Sequence, residues 1–194
     1  NEFSTTHSNC PGANPLDPVR NYNDIRKAKL NSDYVIVIVH GGHEHFNLPS
    51  PGIKKTFHFF ADAGASIIIG HHSHCYSGYE IHNGVPIFYG LGNFVFDIPD
   101  KFNTNWNYGF AVKLSLGEEL VFEIIPYEQC NGNVGLRLFH GIEKSKFIEN
   151  IQLLSNILEN DELLAIEFEK YCNKVKRKYL SYLEPYSARL IHFM

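Results

Sequence analysis

The sequence is short of the features that would settle its class at once. Only four of its 194 residues are cysteine. Cys10, Cys75, Cys130 and Cys172 stand far apart, with no C-x-x-C pair to mark a zinc ribbon or a dithiol redox centre, and they read as free thiols. No apolar run approaches the roughly 20 residues that span a bilayer, and no basic-then-apolar leader opens the sequence. Positive charge is not in excess: 17 Lys and Arg face 21 Asp and Glu, a formal charge of -4. A basic surface for nucleic acid or anionic lipid is therefore not expected. The run Lys174-Val175-Lys176-Arg177-Lys178 reads as the solvated face of a helix. There is no internal repeat and no low-complexity tract. Residues 1–20 are rich in Ser, Thr, Asn, Pro and Gly without hydrophobic period, and read as loop. The first residue is Asn1 rather than Met, inside this polar stretch, and the sequence reads as a fragment of a longer one.

Histidine is what the sequence has in unusual placement. Six of the eleven histidines fall in two segments, each closing an apolar run. Val35-Ile36-Val37-Ile38-Val39 leads into His40-Gly41-Gly42-His43-Glu44-His45, and Ser66-Ile67-Ile68-Ile69 leads into Gly70-His71-His72-Ser73-His74. Short Val/Ile runs bounded by turn residues are expected to be buried parallel strands. Open α/β sheets place their ligands just beyond the carboxyl ends of such strands.

The segments between them support that expectation. Tyr22, Ile25 and Leu30 recur at rough helical spacing over residues 21–31. Pro51 suits a helix start, Ile53, Phe57, Phe60 and Ala61 share a face, and Gly64 suits the end. Helix, strand, helix, strand argues for parallel pairing with helical crossovers. Val85–Tyr89 reads as a further short strand. Gly109–Leu116 and Glu119–Tyr127 read as a hairpin turning at Gly117, and Val134–Phe139 as another strand. Beyond Gly141 the period is helical, carried by Phe147, Ile148, Ile151, Leu154, Ile157 and Leu158, then Leu163, Leu164, Ile166, Phe168 and Tyr171. The fold class expected is α/β (α+β). The domain boundary is expected at 140/141, with a body over 1–140 and a helical C-terminal extension over 141–194.

In an extended chain residues two apart point to one side, so His72 and His74 are expected to face one cavity and His71 to face away. His40, at the end of the neighbouring strand, is placed to add a third imidazole. Such a set suits zinc, iron, cobalt or manganese, as one ion or two neighbouring ions. Glu44 is read as a ligand, a general base or, by preference, an acceptor that fixes a histidine tautomer. His71 is a candidate donor behind the site. Glu80 could orient a histidine, and Asn93 could border the pocket, with Asp97 beyond it. His43, His45, His58, His82, His140 and His192 read as ordinary hydrogen-bonded histidines.

Read together, Asp33–Glu44, Asp62-Ala63-Gly64-Ala65, Gly70–His74, Gly78-Tyr79-Glu80 and Ile87–Asp97 resemble the CapA family of poly-gamma-glutamate and capsule synthesis proteins. The domain of that family looks like a calcineurin-type metallophosphatase. The resemblance implies part of a four-layer αββα sandwich, here its C-terminal half. It implies a metal-dependent hydrolase or transferase acting on a phosphoester or an anionic polymer end, with His40, His72 and His74 as metal ligands and catalytic groups. Two ions, of manganese, zinc or iron, are implied for the complete domain. Alternatives on the same scaffold are a non-catalytic polymer-binding or assembly protein, and an amidase acting on gamma-glutamyl bonds. Ser73 stands where the family commonly has proline, and Gly90 where it commonly has serine. The family's opening Asp-x-His, Gly-Asp and Asn-His motifs do not precede His40. The missing N-terminal half is thus the expected partner, without which metal binding should be weak, and cell-envelope association is implied by the family alone.

Overall fold

The computed structural model describes residues 11–183, apart from 97, 99–100, 102–103, 130–131 and 133–134. Helix α1 (Pro18–Lys29) starts where Asp17 accepts from the backbone N–H groups of Val19 and Arg20, with Pro18 at the first helical position. Strand β1 (Ile36–His40) follows. Helix α2 (Pro51–Ala63) runs between the residues its sequence marks. Ser50 caps its first turn, and Gly64 closes it at φ 115°, a left-handed conformation that favours glycine. Strand β2 (Ile67–His71) completes the helix–strand alternation.

Strands β3 (Tyr79–His82) and β4 (Val85–Phe88) form a tight hairpin. Its turn is Asn83-Gly84, both at positive φ (50° and 82°), the combination a two-residue turn of this kind needs. A short 3₁₀ turn (Asn105–Asn107) leads into β5 (Tyr108–Leu116) and β6 (Leu120–Gln129), with β7 (Leu136–Leu138) beside β6. Helices α3 (Gly141–Leu158) and α4 (Asp161–Leu183) end the described chain. No described helix is long and apolar enough to cross a membrane.

Two sheets result. The first has the order β1-β2-β4-β3, with β1, β2 and β4 parallel and β3 antiparallel; the second has the order β5-β6-β7 and is antiparallel. Alternation of side chains along β2 and β4 builds a core on each face of the first sheet. Ile68 and Ile87 point to one side, with Val39, and pack on Phe57 and Phe60 of α2 and on Leu158, Leu164 and Tyr171 of the C-terminal helices. Ile67, Ile69 and Phe88 point to the other, against Phe110, Phe122 and Ile124 of the second sheet and Phe147 and Ile151 of α3. This is an α+β sandwich with a C-terminal helical part. Full burial of one such Phe or Ile contributes roughly 1.5–3 kcal/mol. Both C-terminal helices therefore share the cores of the body. In the basic run of α4, Lys174, Lys176, Arg177 and Lys178 are exposed while Val175 turns toward the core.

The sandwich is open along β1. Ile36 and Ile38 align with Ile67 and Ile69 and share their face, yet they are 43% and 68% exposed. Among the described residues β1 pairs only with β2. A hollow of about 370 Å³ runs along this edge, between β1 and the Asn14-Pro15-Leu16 segment.

Candidate functional site

Strands β1 and β2 end in register, His40 opposite His71, and the ladder continues one step as Gly41 N–H donates to the His71 carbonyl. Beyond it the backbone of the second histidine segment turns out of extended geometry. His72 has φ 107° and His74 φ 58°, and His45, whose N–H donates to the Ser73 carbonyl, has φ 59°. Positive φ in residues with a Cβ costs on the order of 1–3 kcal/mol each and is held only by surrounding structure.

The turn overrides the alternation expected of an extended strand. His71 does not face away: it lines one hollow of about 630 Å³ together with His40, His72, His74 and Asn93. The opposite wall is apolar, formed by Phe94, Val95, Phe96, Phe110, Val112 and Tyr127. Burial, and then the proximity of the His40 imidazole, hold the His71 imidazole below its ordinary pKa. The Tyr127 phenol is pushed up to about 12 by burial.

Within the hollow the His72 Nδ1 and His40 Nε2 atoms lie 3.3 Å apart, their rings nearly edge-on at 64°. His74 is held differently. Its Nδ1 meets Asn93 Oδ1 at 2.9 Å, and its ring stacks on Phe96 and Trp106 at centroid distances of 5.3 and 5.0 Å. The His72 and His74 rings are 6.1 Å apart.

The 3.3 Å between the His40 and His72 nitrogens suits a shared ion: two imidazole nitrogens on one tetrahedral zinc are about 3.3–3.4 Å apart. It equally suits an N–H···N hydrogen bond, in which one ring donates. Among the described residues, however, no group of three or more His, Cys, Asp and Glu side chains comes together with the geometry to hold an ion. The described residues alone thus form a two-nitrogen edge, without a carboxylate to offset a cation's charge.

Glu44 and Glu80 lie elsewhere. The Glu44 side chain is exposed, and its carbonyl accepts from the Tyr171 hydroxyl. Glu80 stands on β3, at the sheet edge opposite β1. There it meets His58 Nε2 at 2.7 Å and accepts from the Tyr89 hydroxyl, which burial and the Glu80 charge together make harder to ionise. Its histidine is His58, not one of the hollow. His58 in turn stacks on His82, which meets Asp62 at 3.0 Å. His43 packs on Phe168 and Tyr171, and His45 on Trp106. Cys75 and Cys172 are free thiols, the former pushed up to about 11 by burial. Cys10, Asp97, Cys130 and His192 lie outside the described residues.

Sequence reading missed the support behind His74. Gln129 is wholly buried; its Nε2 donates to the Phe96 and Trp106 carbonyls and its Oε1 accepts from the Phe96 N–H. The Trp106 indole donates to the Phe96 carbonyl, and Asn107 donates to the Gln129 carbonyl. The sequence signal was the polar Gln129 closing an apolar strand.

Helices and a second sheet packed on a partly parallel sheet define an α+β sandwich, with a histidine-lined hollow beyond the carboxyl ends of β1 and β2. The chain belongs to the bacterial capsule synthesis protein PGA_cap family, whose model matches residues 2–98. It is 45% identical over 89 residues to the PGA biosynthesis protein CapA of Bacillus subtilis, and 42% identical over 91 residues to the capsule biosynthesis protein CapA of Bacillus anthracis. An uncharacterized protein of Sinorhizobium fredii is 36% identical over 88 residues. These matches cover 46%, 45% and 44% of this chain but only 23%, 22% and 19% of the three relatives.

Proposed function

We propose that this chain is part of a CapA-like protein of capsule or poly-gamma-glutamate synthesis, and that its hollow is one wall of a metal-dependent phosphoesterase-type site. The observation that carries the reading is the approach of His40 and His72 to 3.3 Å, with His71 and His74 around the same hollow. His40 and His72 would hold a divalent cation whose other ligands come from a segment outside this chain. When bound, the ion would polarise a phosphoryl oxygen and lower the pKa of a bound water. His74, braced by Asn93 and two aromatic rings, offers a fixed nitrogen at the edge of the hollow. Having taken a proton on that nitrogen, it could pass it to a leaving group.

The open edge of β1 supports the missing half as partner. Ile36 and Ile38 sit on the sandwich-facing side without cover, and a neighbouring strand would bury them while pairing the free backbone groups. The domain division at 140/141 belongs to the same proposal, with the family match ending at residue 98.

One observation favours a second reading, a non-catalytic polymer-binding or assembly protein: the described residues bring no carboxylate to the imidazole pair. A panel of phosphomonoester, phosphodiester and gamma-glutamyl substrates with manganese or zinc, run on the protein with its upstream segment, separates the readings. Chelator-sensitive phosphoester cleavage supports the hydrolase. Gamma-glutamyl cleavage instead supports the amidase alternative, and saturable polymer binding without turnover supports the non-catalytic one.

A further inference from the structure

We propose that Asn93 is a positioning residue. Its side-chain amide locks His74 in the tautomer protonated at Nδ1, so that the lone pair of Nε2 is the atom His74 offers to a ligand.

The orientation of the amide follows from its surroundings. Asn93 is buried, 7% exposed. Its Nδ2 lies 3.2 Å from the His74 carbonyl and 3.1 Å from the Trp106 carbonyl. Both partners only accept, so the nitrogen must face them. The reversed amide would press its oxygen against two carbonyl oxygens at a site with little access to water. Oδ1 is thereby left facing His74 Nδ1 at 2.9 Å, where it can only accept. Nδ1 therefore carries the hydrogen. A neutral imidazole has one N–H, and the lone pair falls to Nε2.

Neighbouring groups keep the ring from escaping this arrangement. Phe96 and Trp106 stack on it, and Gln129 ties down the backbones of both. A rotation of the ring about its Cβ–Cγ bond would replace Nδ1–H by a C–H opposite Asn93 and lose the bond. The left-handed backbone at His74, φ 58°, is held by the same amide, which bonds both the ring and the carbonyl of that residue. Asn93 thus fixes rotamer, tautomer and backbone of one histidine through two hydrogen bonds to it, with a third, to the Trp106 carbonyl, orienting the amide. The tautomer stands on these bonds alone. Only the kind of ligand that Nε2 meets, a divalent cation or an acidic proton, rests on the function proposed above.

The test is a long-range ¹H–¹⁵N correlation spectrum of the ¹⁵N-histidine-labelled chain above the imidazole titration range, with the His74 signals assigned by their loss in His74→Gln. The expected pattern is one tautomer, protonated at Nδ1 and bare at Nε2. Asn93→Ala and the bulkier Asn93→Leu are expected to let the Nε2–H form appear. A wild-type His74 protonated at Nε2 overturns the proposal whether or not any variant folds. So does a folded Asn93→Ala or Asn93→Leu that keeps the pure Nδ1–H form. Turnover assays on the same proteins report separately on the hydrolase reading: the expected tautomer without metal-dependent turnover removes that reading and leaves this one.

Discussion

The hydroxyl of Ser73 occupies the space a side chain on Gly90 would need. A Cβ at Gly90 would stand 2.8 Å from Ser73 Oγ and 3.0 Å from the Cys75 carbonyl oxygen, to which that hydroxyl donates. These are the two positions at which the resemblance to the CapA family predicts proline and serine, and they meet in space. Gly90→Ala is expected to overpack the site and cost about 1–3 kcal/mol. Ser73→Ala in the same molecule should recover part of that loss. A double-mutant cycle by urea unfolding measures the coupling; strictly additive effects would contradict it.

Gln129 is expected to be as costly to remove as a core hydrophobe. Gln129→Leu leaves the Phe96 N–H without its partner and takes one of two donors from each of the Phe96 and Trp106 carbonyls, a loss of roughly 1–3 kcal/mol. Trp106, the sole tryptophan, reports it directly: its fluorescence should shift to the red as the loop around it loosens. Unchanged stability and emission would remove Gln129 from the support of His74.

The buried Lys54 ammonium bonds the Leu158 carbonyl and the Asp161 carboxylate, joining α2 to the start of α4. The Lys54 hydrogen bond, then its charge, hold Asp161 below its ordinary 3.8. A carboxylate depressed in the folded state releases its proton more readily there, so its stabilisation is present above about pH 4 and is lost as pH falls through the folded value. Asp161 is largely exposed, so solvent screens the pair. Asp161→Asn should lower the urea midpoint slightly at pH 6, and the difference should shrink as pH falls below the ordinary carboxylate range.

In the protein with its upstream segment, His74→Ala is expected to lower metal-dependent turnover by roughly 10²-fold or more, with the circular dichroism spectrum unchanged. Turnover at the wild-type rate would count against His74 as a group of the reaction.

Much of the fold was legible in local sequence because local chemistry decides it. Pro51 and Gly64 bound α2, and the Val/Ile runs mark β1 and β2. The β3–β4 hairpin carried an equally local signal in Asn83-Gly84, which the reading of strands passed over. The site was legible only as composition. Histidine at the strand ends located the hollow, but the backbone turn at His72 is imposed by tertiary structure, and residue type does not announce a φ of 107°. Through that turn His72 and His74 reach the hollow that His71, in step with Ile67 and Ile69 on β2, already lines. Glu80 found His58 instead of a histidine of the hollow, because β3 lies at the far edge of the sheet. The Asn93, Trp106 and Gln129 bonds join residues distant in sequence, beyond the reach of any short-range pattern.

Paramagnetic broadening by manganese added to the ¹⁵N-labelled chain tests the central claim most directly. The account predicts weak binding that first broadens the signals of His40, His72 and the residues lining their hollow, and that is lost in a His40→Ala, His72→Ala double variant. Broadening centred elsewhere, at His58 and His82 for instance, or unchanged in the double variant, would contradict it.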